Sequence, residues 1–377
     1  MEKIEFRSNP TPTLGVEIEL ALADRRTGAL VSVAPRILER ISQSRAPFVK
    51  PELMQCYLEI NTDICRTAGE AREDLAASLR EADAVAESLG VGLYWSASHP
   101  FSLWEEQEPT QSERYLQLLE LLQDVGRQLV AFGLHVHVGV DSGDKAVMIC
   151  DRILRHLPWL LALSCNSPWW NARVSGLLSH RSKIMEALPT SGPPPLMRNW
   201  SEYVWLVRHL QETGFIHSIR DIWWLVRPHH NFGTVEVRVC DIPGSLEDVA
   251  ALTALIHCLV CALSDEIDEG AYQHDCHPLL VRQNLWRAAR FGLDAELIDA
   301  FTHEPQPVRD TVRRMIERLG AKAEELDCAA ELADAERLTR GPTWAERQLA
   351  LLEQTGDPAE TVRRMLGGRA WAADVVR

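Results

Sequence analysis

GVEIEL, Gly15 to Leu20, alternates strictly: Val16, Ile18 and Leu20 fall on one face of an extended chain, Glu17 and Glu19 on the other. A half-buried antiparallel strand usually carries neutral or scattered polar groups on its wet face, whereas this one sets two carboxylates side by side. Neighbouring like charges repel unless a cation lies between them. A hard divalent ion is the simplest such cation, because it takes carboxylate oxygens and leaves positions open for phosphate and water. One E-x-E alone is more often a solvated sheet edge than a metal site, so the weight falls on whether the pattern recurs.

It recurs three times. In PELMQCYLEINTDIC, Pro51 to Cys65, Leu58 and Ile60 share one face while Tyr57, Glu59 and Asn61 share the other. Glu52 lies seven residues before Glu59, and strict alternation would send it to the opposite face, so it can join Glu59 only across a bulge or turn. GLHVHVGV, Gly133 to Val140, puts Leu134, Val136, Val138 and Val140 on one side and His135 and His137 on the other, with flanking glycines that would let a ligand approach. RPHHNFGTVEVRVCD, Arg227 to Asp241, pairs an apolar Val235, Val237 and Val239 face with Glu236 and Arg238. Those two could be a surface ion pair of little value. Beside a metal-phosphate site they take separate roles, Glu236 on the cation and Arg238 forked onto a phosphoryl group.

Between these strands the pattern turns helical. Thr67 to Leu89 carries an apolar stripe at Leu75, Leu79, Ala82 and Ala86 and stops at Gly90. Val91 to Ser98 reads as a strand, and Ala34 to Ile41, Glu113 to Leu129, Asp151 to Cys165 and Trp200 to Leu210 read as helices. The rhythm suggests a sandwich with helices on one side of a sheet. The stretch between Cys165 and Pro195 mixes Trp169, Trp170, Arg173 and Arg181 with a Gly/Pro-rich exit, which suits a substrate loop as well as an ordinary connection. From Leu246 onward everything reads helical, and His274, His277 and His303 read as surface or packing residues.

The chain has 377 residues, 46% hydrophobic and 25% charged, with no linker or repeat that would divide it. A single catalytic unit is expected over residues 1–377, with a sheet-bearing core over 1–266 and a helical part over 267–377. The formal net charge of -15 argues against general binding of nucleic acid or anionic membranes. The apolar run Ala250 to Leu263 is broken by His257 and is short for a bilayer, and MEKIEFRSNP lacks the apolar segment of a signal peptide. Nine cysteines, with one C-x-x-C at Cys258 and Cys261 inside an apolar helical pattern, read as buried thiols in a reducing cytoplasm.

If the four strands pair into one sheet with valines against the helices, the other face becomes a cup of carboxylates, imidazoles and arginine. Carboxylate-rich sites with one histidine suit Mg2+ or Mn2+ better than zinc, and arginine beside such ions points to phosphoryl transfer. There is neither a G-x-x-x-x-G-K nor a G-x-G-x-x-G run, so any nucleotide would bind through metal ions on the sheet.

GVEIEL, ELMQCYLEINT, GLHVHVGV, LPTSGPPP and RPHHNFGTVEVRVCD, in that order over Leu14 to about Glu266, together resemble the carboxylate–amine ligases of the bacterial glutamate–cysteine ligase type 2 family. That family is similar in fold to glutamine synthetase. The resemblance implies an α+β, glutamine-synthetase-like catalytic domain whose antiparallel sheet lines the cavity, with helices outside. It implies ATP and Mg2+ (or Mn2+), phosphorylation of a carboxylate to an acyl phosphate, and attack by an amine. Glutamate and cysteine are the first candidate substrates, and a homodimer is a common assembly. Carried over by position, Glu17, His135 and Glu236 would hold the metal near the transferring phosphates, and Glu19 and Glu59, with Glu52, the metal nearer the substrate. Arg238 would stabilise the transferred phosphoryl group, and His137 would lie near the nucleotide. Arg227 and Arg181 would anchor phosphate or a substrate carboxylate. Val174 and Ser175 stand where the family usually has an Asp-Thr pair, which bears on the identity of the acid or amine. Two other functional classes are a phosphotransferase of guanidino-kinase type, which would need a reactive cysteine in a suitable setting, and a non-catalytic nucleotide-binding regulator.

Overall fold

A computed structural model describes residues 4–271 and 276–367. Its first strand, β1 (Leu14–Asp24), buries Val16, Ile18 and Leu20 and leaves Glu17 and Glu19 on the partly open face, as the alternation requires. A turn at Asp24 and the short α1 (Ala34–Leu38) lead into β2 (Val49–Pro51) and β3 (Tyr57–Asn61). Helix α2 (Ala68–Ser88) starts where the Thr67 hydroxyl accepts the Glu70 amide and ends at Gly90, whose φ of 73° is left-handed. The chain continues through β4 (Val91–Tyr94), α3 (Glu113–Leu122), α4 (Asp124–Arg127), β5 (Gly133–Gly139), α5 (Gly143–Arg152) and α6 (Leu157–Ser164). Next come the two-residue strands β6 (Trp169–Trp170) and β7 (Arg173–Val174), then α7 (Arg181–Glu186) and α8 (Trp200–Glu212). The hairpin of β8 (Val226–His229) and β9 (Thr234–Asp241) precedes the long α9 (Leu246–Asp268). Beyond lie α10 (Pro278–Phe291), β10 (Glu296–Ile298), β11 (Pro305–Pro307), α11 (Val308–Glu325), α12 (Ala329–Leu338), α13 (Trp344–Thr355) and α14 (Pro358–Gly367).

The main sheet has the order β2-β3-β1-β5-β9-β8 and every pairing in it is antiparallel. Strand β1 is long enough to hold β3 along one edge and both β5 and β4 along the other, β5 beside its first half and β4 beside its second. An antiparallel sheet with helices gathered on one side is the α+β arrangement. The valine face packs against α5, α6 and α9, and one core runs from β1 and α2 through α9 to α11 and α12. Helix α9 is long and apolar because it is central: Leu252, Leu255, Ile256 and Val260 have no exposed surface. Its Asp248 accepts from Arg337 and from the Trp344 indole, both at 2.6 Å, which pins α12 and α13 to it.

Three readings of the sequence are corrected. The helix expected over Glu113 to Leu129 breaks at Gln123, whose φ of 51° no helix interior allows. The helix expected over Asp151 to Cys165 is two helices, because Pro158 can sit only in the first turn of a new one. The tail expected to be wholly helical contains the β10–β11 hairpin. Of the three tail histidines, His277 caps α10 by accepting the Leu279 amide, His303 is exposed, and His274 lies outside the described residues.

Candidate active site

Cross-strand register decides which side chains meet. Glu19 stands opposite Glu59, Glu17 opposite His135, His137 opposite Glu236, and Glu236 opposite Arg227. Directly opposed residues on one sheet face have Cβ atoms about 4.5–5.5 Å apart, so the four pairings draw one band of charge across β3, β1, β5, β9 and β8. Opposite His135, strand β9 carries one extra residue, since Leu134 pairs with Cys240 but Val136 with Val237. That bulge seats Arg238 beside His135, with Nη1 3.5 Å from Nδ1. The band floors a cavity of about 490 Å3, and Glu17, Glu19, Glu52, Glu59, His135, His137, Arg181, Arg227, Glu236 and Arg238 all line it. Glu52 reaches it because residues 52–56 turn between β2 and β3, the interruption its position demanded.

At the β5–β9–β8 end the charges are matched. Glu236, 1% exposed, accepts from Arg227 Nε at 2.6 Å and Nη2 at 3.3 Å, and also from Arg238. Burial opposes its charge, but the two guanidinium groups and His137 hold its carboxyl well below the usual range. Glu17 behaves alike: burial raises it, and hydrogen bonds from His135 and His137 carry it well below normal. His135 Nδ1 lies 3.3 Å from Glu17, and His137 Nε2 lies 3.5 Å from Glu17 and 3.9 Å from Glu236. Burial and the Arg238 charge push His135 down to about 4, so at neutral pH its ring is uncharged and keeps a lone pair to offer. His137 resists the same burial, because Glu236 and Glu17 raise it.

One ligand atom from each of Glu17, His135 and Glu236 falls within 4.8 Å of the others. Two carboxylates and a neutral imidazole converging at that spacing fit a Mg2+ or Mn2+ ion. Arg227 donates to Glu236 and to the carbonyls of Ile219 and Ile222 at 2.8 and 2.6 Å. Those bonds make it the clamp that orients Glu236 rather than an open phosphate anchor.

The β3–β1 end is the reverse. Burial and the neighbouring Glu59 raise Glu19 to about 7, although Arg181 and the Gly133 amide, at 2.6 Å, work against the shift. Glu52 is raised well above normal by burial and by the charges of Glu59 and Glu19, and Glu59 is raised by burial and by Glu17. Among the described residues only Lys50, 3.7 Å from Glu59 and about half exposed, forms an ion pair with a carboxylate of this cluster. Three crowded carboxyl groups that resist ionisation are what a second divalent ion would relieve.

Arg181 lies between this cluster and the loop before it. It is 3% exposed; its Nη atoms reach the carbonyls of Val239 and Arg238 at 3.5 and 3.4 Å, and its Nε has no partner among the described residues. The flanking glycines of β5 admit protein atoms, not a ligand as their sequence suggested. A Cβ at Gly133 would stand 2.2 Å from Arg181 Nη2, and one at Gly139 would stand 2.5 Å from Asn9. Asp241, at the end of β9, positions Arg181: it accepts from the Asn166 amide, Ser167 and Ser179 at 3.0, 2.6 and 2.9 Å and lies 4.0 Å from the guanidinium. Sequence spacing gave Asp241 no role. The available signal was its place after VRV in a strand otherwise committed to the site. Around the mouth, Arg114, Tyr115, Arg220, Trp223 and Phe232 come from loops and helix ends that no periodicity marks. Trp169 is buried, whereas Arg173 and Val174 are exposed and do not line the cavity.

Residues 13–364 match the model of the glutamate–cysteine ligase family 2 (GCS2). A Gloeobacter violaceus protein named "Putative glutamate–cysteine ligase 2" is 38% identical over 369 residues, 97% of this chain and 99% of its own. One of the same name from Mycobacterium tuberculosis is 38% identical over 353 residues, 93% of each. Among solved structures, the glutamate–cysteine ligase of Francisella tularensis in complex with AMP superposes with a TM-score of 0.69 at 13% identity, over 96% of this chain and 89% of that one. The bifunctional glutathione synthetase of Pasteurella multocida gives 0.65 at 15% identity, over 94% and 52%. At these identities the structures speak for the fold, and the family model and the sequence relatives, nearly end to end, for the lineage. With an antiparallel sheet whose polar face carries the motif residues in one cavity, the chain belongs to the glutamate–cysteine ligase family 2.

Proposed function

We propose that this protein is an ATP-dependent carboxylate–amine ligase that forms an amide through an acyl phosphate, with glutamate and cysteine as the first acid and amine to try. The observation that carries the reading is the charge division of one cavity floor. A carboxylate–imidazole–carboxylate set with arginines lies at one end, and a cluster of unneutralised carboxylates lies beside a buried arginine at the other.

Glu17, His135 and Glu236 would hold Mg2+ or Mn2+ on the nucleotide side; Glu19, Glu59 and Glu52 would hold a second ion on the acid side. Bound there, the ions would screen the phosphate oxygens and the substrate carboxylate from each other. The chain's own groups do the rest. Arg227 fixes Glu236, and Arg238, held by the bulge beside His135, meets the negative charge spread over the phosphoryl oxygens in transit. His137, whose affinity for a proton Glu236 and Glu17 raise, lies near the nucleotide. Arg181, with a donor to spare and its backbone anchored through Ser167, receives the carboxylate of the acid substrate. The substrate carboxylate oxygen attacks the γ-phosphorus as ADP leaves, then the amine nitrogen attacks the acyl carbon as phosphate leaves. The net products are amide, ADP and phosphate. The whole chain acts as one catalytic unit in the cytoplasm, and as a homodimer.

The test is phosphate release from Mg-ATP by the purified protein, with glutamate and cysteine and then with a panel of acids and amines. Release that needs both an acid and an amine supports the ligase. ADP formed with a guanidino acceptor alone, the phosphoryl group staying on the acceptor and no phosphate appearing, would make the protein a phosphotransferase, and failure to bind nucleotide would overturn the proposal.

A further inference from the structure

Outside the cavity, one cluster of reactive groups has no part in that chemistry. Cys258, in the middle of α9, and Cys328, the residue that opens α12, bring their sulfurs to 3.5 Å. Their side chains come from helices already fastened together by Asp248 and Arg337, so the approach is built into the packing. His257 is adjacent: its Nε2 meets the Pro12 carbonyl at 2.8 Å, which makes Nε2 the protonated nitrogen, while Nδ1 has no partner among the described residues. His257 thus has its tautomer fixed by a carbonyl and keeps a lone pair that can take a proton, next in sequence to Cys258.

We infer that Cys258 and Cys328 are a redox-active dithiol that a hydroperoxide closes to a disulfide. Sulfur contact needs to shorten by about 1.5 Å to reach bonding distance, a side-chain movement rather than a helix shift. The two thiols are unequal. The hydrogen bond from Cys258, against burial and aided by His257, brings Cys328 down to about 6, which makes Cys328 the attacking sulfur. Its thiolate attacks the terminal peroxide oxygen, the O–O bond breaks, and an alcohol (water, from hydrogen peroxide) leaves, giving the sulfenic acid. Cys258 then attacks that sulfur, its proton goes to the departing hydroxide, and water leaves. Two thiols and one hydroperoxide thus become one disulfide, one alcohol and one water, the sulfurs losing the two electrons that the peroxide gains. Cys258 and Cys328 are both buried, and Asp327, which precedes Cys328 at a left-handed φ of 50°, is exposed.

Cys276 is the built-in control, since it is the one cysteine of the nine that is not buried. The reduced full-length protein is treated with hydrogen peroxide at increasing dose, its remaining thiols are alkylated in denaturant, and its peptides are mapped by mass spectrometry. The expected result is a Cys258–Cys328 cross-linked peptide at doses that leave Cys276 mostly alkylatable. Cys258→Ser should abolish the cross-link and leave a sulfenic acid at Cys328 that a dimedone probe captures. His257→Gln should slow closure about tenfold. Oxidation of Cys276 with Cys258 and Cys328 both still alkylatable in the wild-type protein would overturn the inference, and that result requires no variant to fold.

Discussion

The two ends of the cavity floor contain nearly the same number of carboxylates, yet hold them in opposite states. At the β9 end, Glu236 and Glu17 are surrounded by Arg227, Arg238, His135 and His137, and both carboxyl groups lie well below their usual range. At the β3 end, Glu19, Glu52 and Glu59 face one another, and all three are raised. Burial is common to both ends and cannot explain the difference. Partners explain it: β9 and β8 bring guanidinium groups within reach, and β3 and β2 bring only more carboxylates and one solvated lysine. The carboxylates at one end are therefore balanced by the chain's own cations, and those at the other are not.

The largest expected effects are on turnover. Arg238→Ala at one end and Glu19→Gln at the other should each lower kcat by 100-fold or more, about 3 kcal/mol of transition-state stabilisation, with little loss of folding. Steady-state phosphate release checks both, and turnover left unchanged in either variant removes its end from the site. Stability should then split the ends by sign. Glu236→Gln strands two buried guanidinium groups and should cost about 3–5 kcal/mol in urea unfolding. Glu52→Gln relieves a repulsive cluster and should leave the metal-free protein unchanged or up to about 1 kcal/mol more stable. Equal losses at the two sites would break the comparison.

A pH series sharpens it further. Glu19 has its folded value raised to about 7, above the usual 4.5, so between these values the folded state holds a proton that the unfolded chain has released. Its contribution to stability is complete below about pH 4.5 and is lost as pH rises through 7, which amounts to roughly 1–3 kcal/mol for a partly exposed group. The metal-free protein should melt lower at pH 8 than at pH 6, and Mg2+ should raise the melting temperature more at pH 8. The opposite slope, persisting in Glu19→Gln, would assign the dependence elsewhere. Gly133→Ala, whose new methyl displaces Arg181, should give about a tenfold rise in KM for the acid substrate with KM for ATP unmoved.

Strand periodicity made the floor of the site legible, because alternation in GVEIEL, GLHVHVGV and TVEVRV fixes which side chains share a face whatever the register. Register itself was not legible. Nothing in the spacing says that Glu19 meets Glu59 or that His137 meets Glu236, and the extra residue of β9 opposite His135 is invisible without its partner strand. Arg227 was legible as a charge near the site but not as a clamp, since its bonds to Ile219 and Ile222 depend on a turn with no period. Asp241 and Arg181 meet only through tertiary packing, and the breaks at Gln123 and Pro158 interrupt patterns whose apolar content continues across them.

The central claim is that this face is a two-ion site divided between its ends, and counting ions tests it most directly. Mn2+ bound in the presence of a non-hydrolysable ATP analogue, measured by electron paramagnetic resonance, should reach two per chain in the wild-type protein. It should fall to one in Glu17→Gln and to one in Glu19→Gln. No tight Mn2+ in the wild-type protein, or a count that neither substitution changes, would contradict the account.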